Sequence, residues 1–469
     1  SSGGAFLWEN AIGSITDTNF TNNENTVSYG GGAIYLENAS PAISRCSFVG
    51  NVTKANNFGG GIHLDNASPA ISNCLFAGNS ASINSGGAVS VDSTSTPVLS
   101  GNEFRYNSAG IYGGALYLSN SQNIQASNNL FIANYADSGG AISAFGTTGI
   151  TFRNCRFLGN EANASSASSG GMALLANDAT GTTFVNCVIA GNKANYRSGV
   201  LKSSGSTRFV NCSISGNSAD TAGIALLFDG DVLEIENSIL WGNSANEVPD
   251  VYTNTGTVSI NNSLFSASQS SGLPNGNGNL SNDPLFTDVD GIDNLLGTFD
   301  DDLTLQSSSP AINQASSSVS GYTTTDLLGK TRSGAPDLGA YEFSPNSAPI
   351  VTQGTNATLS LDEDGSISTS YSATDTDGDS LSWSVSTEAT YGEVSVEANT
   401  GVLTYSSSAD YFGDDSFTLQ VSDGMNTAQI AITVTVNAIN DAPFLTNSID
   451  AGTLVVTVKD GNVTVVRLT

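Results

Sequence analysis

The chain has 469 residues and a formal net charge of −30, from 43 acidic and 13 basic side chains. That length holds two or three domains, and so acidic a surface repels phosphate, which excludes nucleic acid as a partner. Charged residues are only 12% of the chain and glycines number 51, which suits an extracellular β protein. No apolar run reaches the roughly 18 residues of a membrane-spanning helix.

The chain opens on Gly3-Gly4-Ala5-Phe6-Leu7, the start of a strand. No signal peptide stands at Ser1, as expected of a mature or trimmed chain. A motif then recurs ten times between residues 17 and 265, clearest as Asn-Cys-x-Phe/Ile-x-Gly-Asn. Its large apolar residue is Phe20, Phe48, Phe76, Phe104, Phe131, Phe157, Ile189, Ile214, Leu240 and Phe265, at steps of 25 to 32 residues. Gly-Gly starts followed by alternating apolar residues recur with it, as in Gly31-Gly32-Ala33-Ile34-Tyr35-Leu36 and Gly113-Gly114-Ala115-Leu116-Tyr117-Leu118. Alternation at period two is a strand with one buried face. One repeat cannot bury its own apolar row, so each coil must lie on the next, about 4.8 Å away. Asn suits a column at the turns, because it tolerates a left-handed backbone and its amide can bond the next Asn. Nine coil-to-coil steps imply a rod roughly 43 Å tall. On these repeats, residues 1–282 resemble the secreted right-handed parallel β-helix proteins of the pectate-lyase-like superfamily, a fold that hosts enzymes, adhesins and stalks alike.

The five cysteines, Cys46, Cys74, Cys155, Cys187 and Cys212, fall in one column. They are expected as buried free thiols; disulfides between neighbouring coils, Cys46–Cys74 and Cys187–Cys212, are the alternative.

Residues 283–346 carry Asp283-Pro284-Leu285-Phe286, Ser309-Pro310-Ala311-Ile312 and Asp337-Leu338-Gly339-Ala340-Tyr341-Glu342. The set resembles the module that closes many bacterial surface β-helix proteins, with Asn313 where that module has Asp. It implies terminal coils, a cap and a linker. Within it, six carboxylates fall between residues 288 and 302. Acidic residues around a Gly turn can wrap oxygens around Ca²⁺, so Asp288, Asp290, Asp293, Asp300 and Asp302 are candidate ligands.

Residues 347–443 change to short alternating strands, expected at Ala357–Leu361, Leu381–Val385, Val402–Tyr405, Ser416–Val421 and Gln429–Val436, a β-sandwich. Asp362-Glu363-Asp364, Asp375-Thr376-Asp377-Gly378-Asp379, Phe412-Gly413-Asp414-Asp415, Ser422-Asp423-Gly424 and Asn440-Asp441-Ala442-Pro443 resemble the bacterial cadherin-like tandem domain. The resemblance implies Ca²⁺ held by Glu363, Asp375, Asp377, Asp379, Asp423 and Asp441. Residues 349–441 hold fourteen acidic residues and no Lys or Arg, so bound ions would relieve their repulsion. In the tail, 444–469, Asp460-Gly461 between β-branched runs signals a hairpin.

Chemistry is sparse. The single histidine, His63, is expected on an ordinary outward row with Tyr35, Ser90 and Tyr117. A second outward row, Glu37, Asp65 and Asp92, spaces carboxylates at roughly 5 and 10 Å, which brackets glycosidase pairs. Arg45 and Arg105 are near in sequence, and aromatic residues on the face are few. These features lead to the expectation of an all-β, calcium-stabilised extracellular surface or adhesive protein without catalysis. Its subunits are expected to join head to tail through the C-terminal hairpin, because the first coil shows an open edge. A carbohydrate-binding or carbohydrate-active β-helix, with surface glycans as partners, is the alternative.

Overall fold

The computed structural model describes residues 4, 6–10, 12–26, 30–54, 58–92, 94–163, 174–177, 179–195, 198–219, 224–228, 231–245, 251–253, 256–266, 276–332, 334–440, 444–445, 453–457 and 463–467. It divides into two compact units, Ser1–Phe343 and Ser344–Thr469.

In the first unit a coil contributes up to four short strands, as in Ile62–Asp65, Ala70–Ser72, Leu75–Ala77 and Ser80–Ala81. Like strands of successive coils pair in parallel, giving three ten-stranded sheets and one of nine strands. This is the parallel β-helix that the repeat predicts. The large apolar residues form one register column, from Phe20↔Phe48 and Phe48↔Phe76 to Leu240↔Phe265. Rings from Phe20 to Phe157 stack at 4.7–4.9 Å, the spacing of the strands themselves.

Asparagine does two separate jobs. The turn column Asn73, Asn128, Asn154, Asn186, Asn211, Asn237 and Asn262 lies at φ between 43° and 57°, where Asn is tolerated. A different column, the Asn of each Gly-Asn, forms a buried amide ladder. Asn79 Nδ2 donates to Asn107 Oδ1 at 2.9 Å, Asn107 to Asn134 at 2.9 Å, and Asn134 to Asn160 at 2.9 Å. Each amide also donates to the carbonyl of a core apolar residue, Phe48, Phe76 and Phe104 in turn.

The Gly-Gly pairs are explained by closeness. A Cβ on Gly60 would meet the Gly87 carbonyl oxygen at 2.2 Å, and one on Gly87 the Gly114 oxygen at 2.0 Å. The five cysteines are buried and free, as expected. Burial pushes the Cys74 thiol up to about 11, so it stays protonated at neutral pH.

Residues 276–280 add one partial rung, with Leu280 bridged to Leu264. The chain then runs back along the flank of the β-helix, where terminal coils and a cap were expected. Phe286, Leu303, Leu305, Ala311, Leu338 and Ala340 pack on the outward side chains Ile132, Leu158 and Ala190 of the third sheet. The three motifs noted above bind this strap together. Ser309 Oγ donates to the Pro284 carbonyl at 2.5 Å, and Asp337 accepts the Asn313 N–H at 2.7 Å and the Phe343 N–H at 2.5 Å. Arg332, with no exposed side-chain surface, reaches Glu342 at 3.2 Å and Asn186 of the β-helix at 2.9 Å.

The second unit is a β-sandwich. Asn356–Asp362, Thr427–Asn437, Gly413–Ser422 and Ser382–Thr387 make one sheet, and Ser366–Ser370, Val402–Ser407 and Gly392–Val396 the other. Trp383, Tyr405, Phe417, Leu419 and Ile432 fill the space between them. In the tail, Thr453–Thr457 and Val463–Arg467 pair as the expected hairpin, with Phe444–Leu445 alongside.

Candidate functional site

The first sheet of the β-helix carries the richest chemistry. Its early strands Ile34–Glu37, Ile62–Asp65, Val89–Val91, Leu116–Ser119 and Ile142–Phe145 stack in register. The residues between the core positions form two outward rows. One holds Tyr35, His63, Ser90, Tyr117 and Ser143; the other holds Glu37, Asp65, Asp92, Ser119 and Phe145.

The first row is not an ordinary surface row. Tyr35 is 5% exposed, His63 6% and Ser90 fully buried, because the glycine turns fold over it. Gly59, at φ +68°, sits so close that a Cβ would meet Ile62 O at 2.1 Å and His63 N at 3.0 Å. The covered row acts on the exposed one. Tyr35 donates its hydroxyl to Asp65 at 3.0 Å, and His63 Nε2 faces Asp92 Oδ2 at 2.9 Å. Both links step up one coil, so two adjacent carboxylates are each oriented by a buried donor. Burial, and then the charges of Asp65, Glu37 and Asp92, raise the Tyr35 pKa, which keeps its proton in place. His63 Nδ1 and Ser90 Oγ are buried without a hydrogen-bond partner.

Beside the carboxylates lies a strip of four half-buried rings. Phe58 stacks on Tyr117 at 5.7 Å, Tyr117 on Tyr112 at 6.2 Å, and Phe145 meets Tyr112 edge-on at 4.7 Å. Burial first, then the charges of Asp92 and Tyr112, raise the Tyr117 pKa. The sparse aromatic content expected of this face is therefore corrected: Phe58 and Tyr112 arrive from the turns. The register places Glu37 beside Asp65, and Asp92 follows the Val91↔Leu64 pair, so neighbouring carboxylates stand one strand apart, about 4.8 Å along the backbone. The two arginines near in sequence are elsewhere. Arg45 pairs with Asp17 at 2.6 Å and Arg105 with Glu103 at 3.0 Å on the third sheet.

The candidate Ca²⁺ ligands have different fates. Asp375, Asp377 and Asp379 come together with ligand atoms within 4.8 Å of one another, alone in this among the described residues. Asp375 Oδ1 accepts the Asp377 and Gly378 N–H groups at 2.8 and 3.0 Å, while its Oδ2 is buried without a partner. Asp377 accepts the Ser347 N–H at 2.7 Å, and Asp423 the Asn346 amide at 3.0 Å. Glu363 is buried and accepts the Ile439 N–H at 2.8 Å. Asp441 lies outside the described residues. In the strap, Asp288 and Asp302 oppose each other on an antiparallel pair. Asp293 accepts the Leu295 N–H at 2.8 Å, Asp302 the Thr304 N–H at 2.9 Å, and Asp300 the Asp293 N–H at 3.1 Å. These side chains cap turns and do not gather with Asp290 around one point.

Family comparison agrees with this architecture. Residues 3–178 match the right-handed β-helix region family, and residues 346–438 match the bacterial cadherin-like domain family. The chain is a right-handed parallel β-helix followed by a cadherin-like domain. No curated protein matches the sequence. Similar solved structures include the endo-fucoidan hydrolase MfFcnA4 of glycoside hydrolase family 107, with 16% identity over 24% of this chain and 17% of that one, TM-score 0.19. Human protocadherin-24 EC1-2 aligns with 22% identity over 24% of this chain and 61% of that one, TM-score 0.19. The enzymatically active domain of bacteriophage CBA120 tailspike protein 2 aligns with 9% identity over 99% of this chain and 71% of that one, TM-score 0.33. The expectation of a chain without catalysis is corrected on this point, because a glycoside hydrolase and an enzymatically active tailspike domain stand among the similar structures. What those proteins act on belongs to them. Among the described residues no helix is long and apolar enough to cross a membrane.

Proposed function

We propose that the β-helix is a carbohydrate-handling module that works outside the cell and takes glycan across the first sheet. The observation that carries this reading is the pairing of Asp65 and Asp92 with buried donors, Tyr35 and His63, beside the strip Phe58, Tyr117, Tyr112 and Phe145. Half-buried rings give sugar faces an apolar platform, and fixed carboxylates accept from sugar hydroxyls. Neighbouring carboxyls about 5–5.5 Å apart are also the arrangement of retaining glycoside hydrolysis, so bond cleavage at this face is an activity to measure. The test is incubation of the full chain with neutral, acidic and amino polysaccharides, followed by binding calorimetry and assays for reducing ends and unsaturated products. Binding weakened by Tyr117→Ala, and any cleavage abolished by Asp65→Asn or Asp92→Asn, is expected. Neither binding nor product with any polysaccharide overturns the reading.

We also propose that the cadherin-like domain holds Ca²⁺ at Asp375, Asp377 and Asp379. The support is their convergence and the unpartnered Asp375 Oδ2, since a buried carboxylate oxygen without a donor costs stability until a cation meets it. For the tail, the strands pair with one another, and end-to-end coupling through it gains no support.

A further inference from the structure

Resting on the glycan-binding reading of the first sheet, we propose that this face selects a cationic amino-sugar glycan, one carrying free ammonium groups, over uronate or sulfated glycans. The charge on the face is one-sided. In register order, the outward positions of the first six strands are Leu7 and Glu9, Tyr35 and Glu37, His63 and Asp65, Ser90 and Asp92, Tyr117 and Ser119, then Ser143 and Phe145. Four of these are carboxylates, none is Lys or Arg, and the imidazole of His63 is already turned to Asp92. An anionic sugar needs a cation to meet it, and these six strands offer none; Lys202 stands in the same register row, but two strands further on. Approach of such a polymer is further opposed by a net charge of −30.

A metal ion could in principle bridge the face to an anionic glycan. Glu37, Asp65 and Asp92 do not converge as a three-carboxylate cluster, which among the described residues only Asp375, Asp377 and Asp379 do, and titration in EDTA tests a bridging ion directly. Glu37, Asp65 and Asp92 instead repeat at the strand spacing, a row of separate negative points about 4.8 Å apart. A row of points fits a polymer bearing repeated ammonium groups better than it fits one ion. The rings add a second recognition element independent of charge. Phe58 packs against His63, the partner of Asp92, and stacks on Tyr117; both rings are half-buried, and such faces attract cations as well as sugar rings. Behind them, the buried and unpartnered His63 Nδ1 and Ser90 Oγ leave polar capacity at the site that the protein itself does not satisfy.

The experiment is calorimetric titration of the full chain with glucosamine oligomers, the fully N-acetylated oligomers of the same length, and galacturonate oligomers. Each is run in EDTA and at two salt concentrations, below the pH at which the amines lose their protons. The expected result is at least a tenfold (about 1.4 kcal/mol) preference for the glucosamine oligomer over both others, shrinking with salt. In the Asp65→Asn/Asp92→Asn chain the preference over the acetylated oligomer should collapse. Tyr117→Ala should weaken both neutral and cationic oligomers alike. Binding led by the acetylated or the galacturonate oligomer overturns the charge selection while leaving glycan binding intact. Absence of binding to every oligomer overturns both.

Discussion

Asn134 shows how much of the rod's stability is held by single amides. Its Nδ2 donates to Asn160 and to the Phe104 carbonyl, both at 2.9 Å, and its Oδ1 accepts the Asn107 N–H at 3.0 Å and amide at 2.9 Å. Asn134→Ala therefore removes four buried hydrogen bonds at once, although Asn160 Oδ1 keeps the Asn134 N–H and Asn107 Nδ2 keeps the Phe76 carbonyl. At about 1–3 kcal/mol for each unmet buried group, with partial relaxation, the variant should lose about 3–5 kcal/mol. Asn128 is the control. It occupies the turn column at φ 54° and is exposed, with its Oδ1 accepting the Asn154 amide at 3.2 Å in reach of water, so Asn128→Gly should stay within a few tenths of a kcal/mol. Urea midpoints followed by circular dichroism measure both, and equal midpoints would show that the ladder is not what stabilises the stack. Both columns were legible in the sequence as repeating asparagines. The turn column does link some of its amides, Asn186 to Asn154 at 2.9 Å and Asn154 to Asn128 at 3.2 Å; that the longer, buried ladder belongs to the other column was not legible, because periodicity reports that a position recurs and is silent on which side of the backbone it faces water.

At the scale of elements, the strap from Phe286 to Phe343 is the part of the fold that departs most from expectation. Its docking left a mark in the repeats. Coils with Leu130-Phe131-Ile132 and Val188-Ile189-Ala190 have three apolar residues in a row, where a sheet open to water would alternate. Ile132 and Leu158 are accordingly buried under the strap. Arg332 is its clasp. Burial lowers the guanidinium's pKa, and Glu342, then Asp326, push it back up. Removing one partner of a buried pair leaves the other charge uncompensated, so Arg332→Met should cost about 3–5 kcal/mol, with part recovered by adding Glu342→Gln. Denaturation midpoints check the energy, and faster protease cleavage between residues 316 and 330 checks that the strap has loosened. Unchanged cleavage would mean that apolar contacts alone hold it. The candidate site was legible by the same logic and to the same limit. Glu37, Asp65 and Asp92 share a register column, so period alone revealed them. Phe58 and Tyr112 sit on turns, outside any column, and only the path of the turn brings them over Tyr117. In the sandwich, Ser366–Ser370 was missed because Ile367 is its one apolar residue, too faint a signal of alternation.

On the scale of the whole molecule, two units with different sources of cohesion should respond differently to ions. The β-helix gains its order from stacked rings, amides and aliphatic columns, none of which needs a cation. The cadherin-like unit concentrates its charge: residues 349–441 carry fourteen carboxylates without one Lys or Arg. Three of these carboxylates converge at Asp375, Asp377 and Asp379. Ordinary salt screens such repulsion evenly, whereas a bound ion adds stability by mass action, about 2.7 kcal/mol at a hundredfold excess over its dissociation constant. Calcium should therefore raise the melting transition of the second unit and leave that of the first unmoved. Calorimetric scans in Ca²⁺, in EDTA, and in NaCl of matched ionic strength separate the two effects, with hydrogen exchange across Thr427–Asn437 and Ile142–Phe145 reporting each unit. Asp379→Asn should abolish the calcium increment while leaving the NaCl response in place. If NaCl protects Thr427–Asn437 as well as Ca²⁺ does, the cluster is a screened acidic surface and the ion site is wrongly assigned. If Ca²⁺ protects Ile142–Phe145 equally, the ion acts on the β-helix too, and the carboxylate row at Glu37, Asp65 and Asp92 becomes the place to look for it.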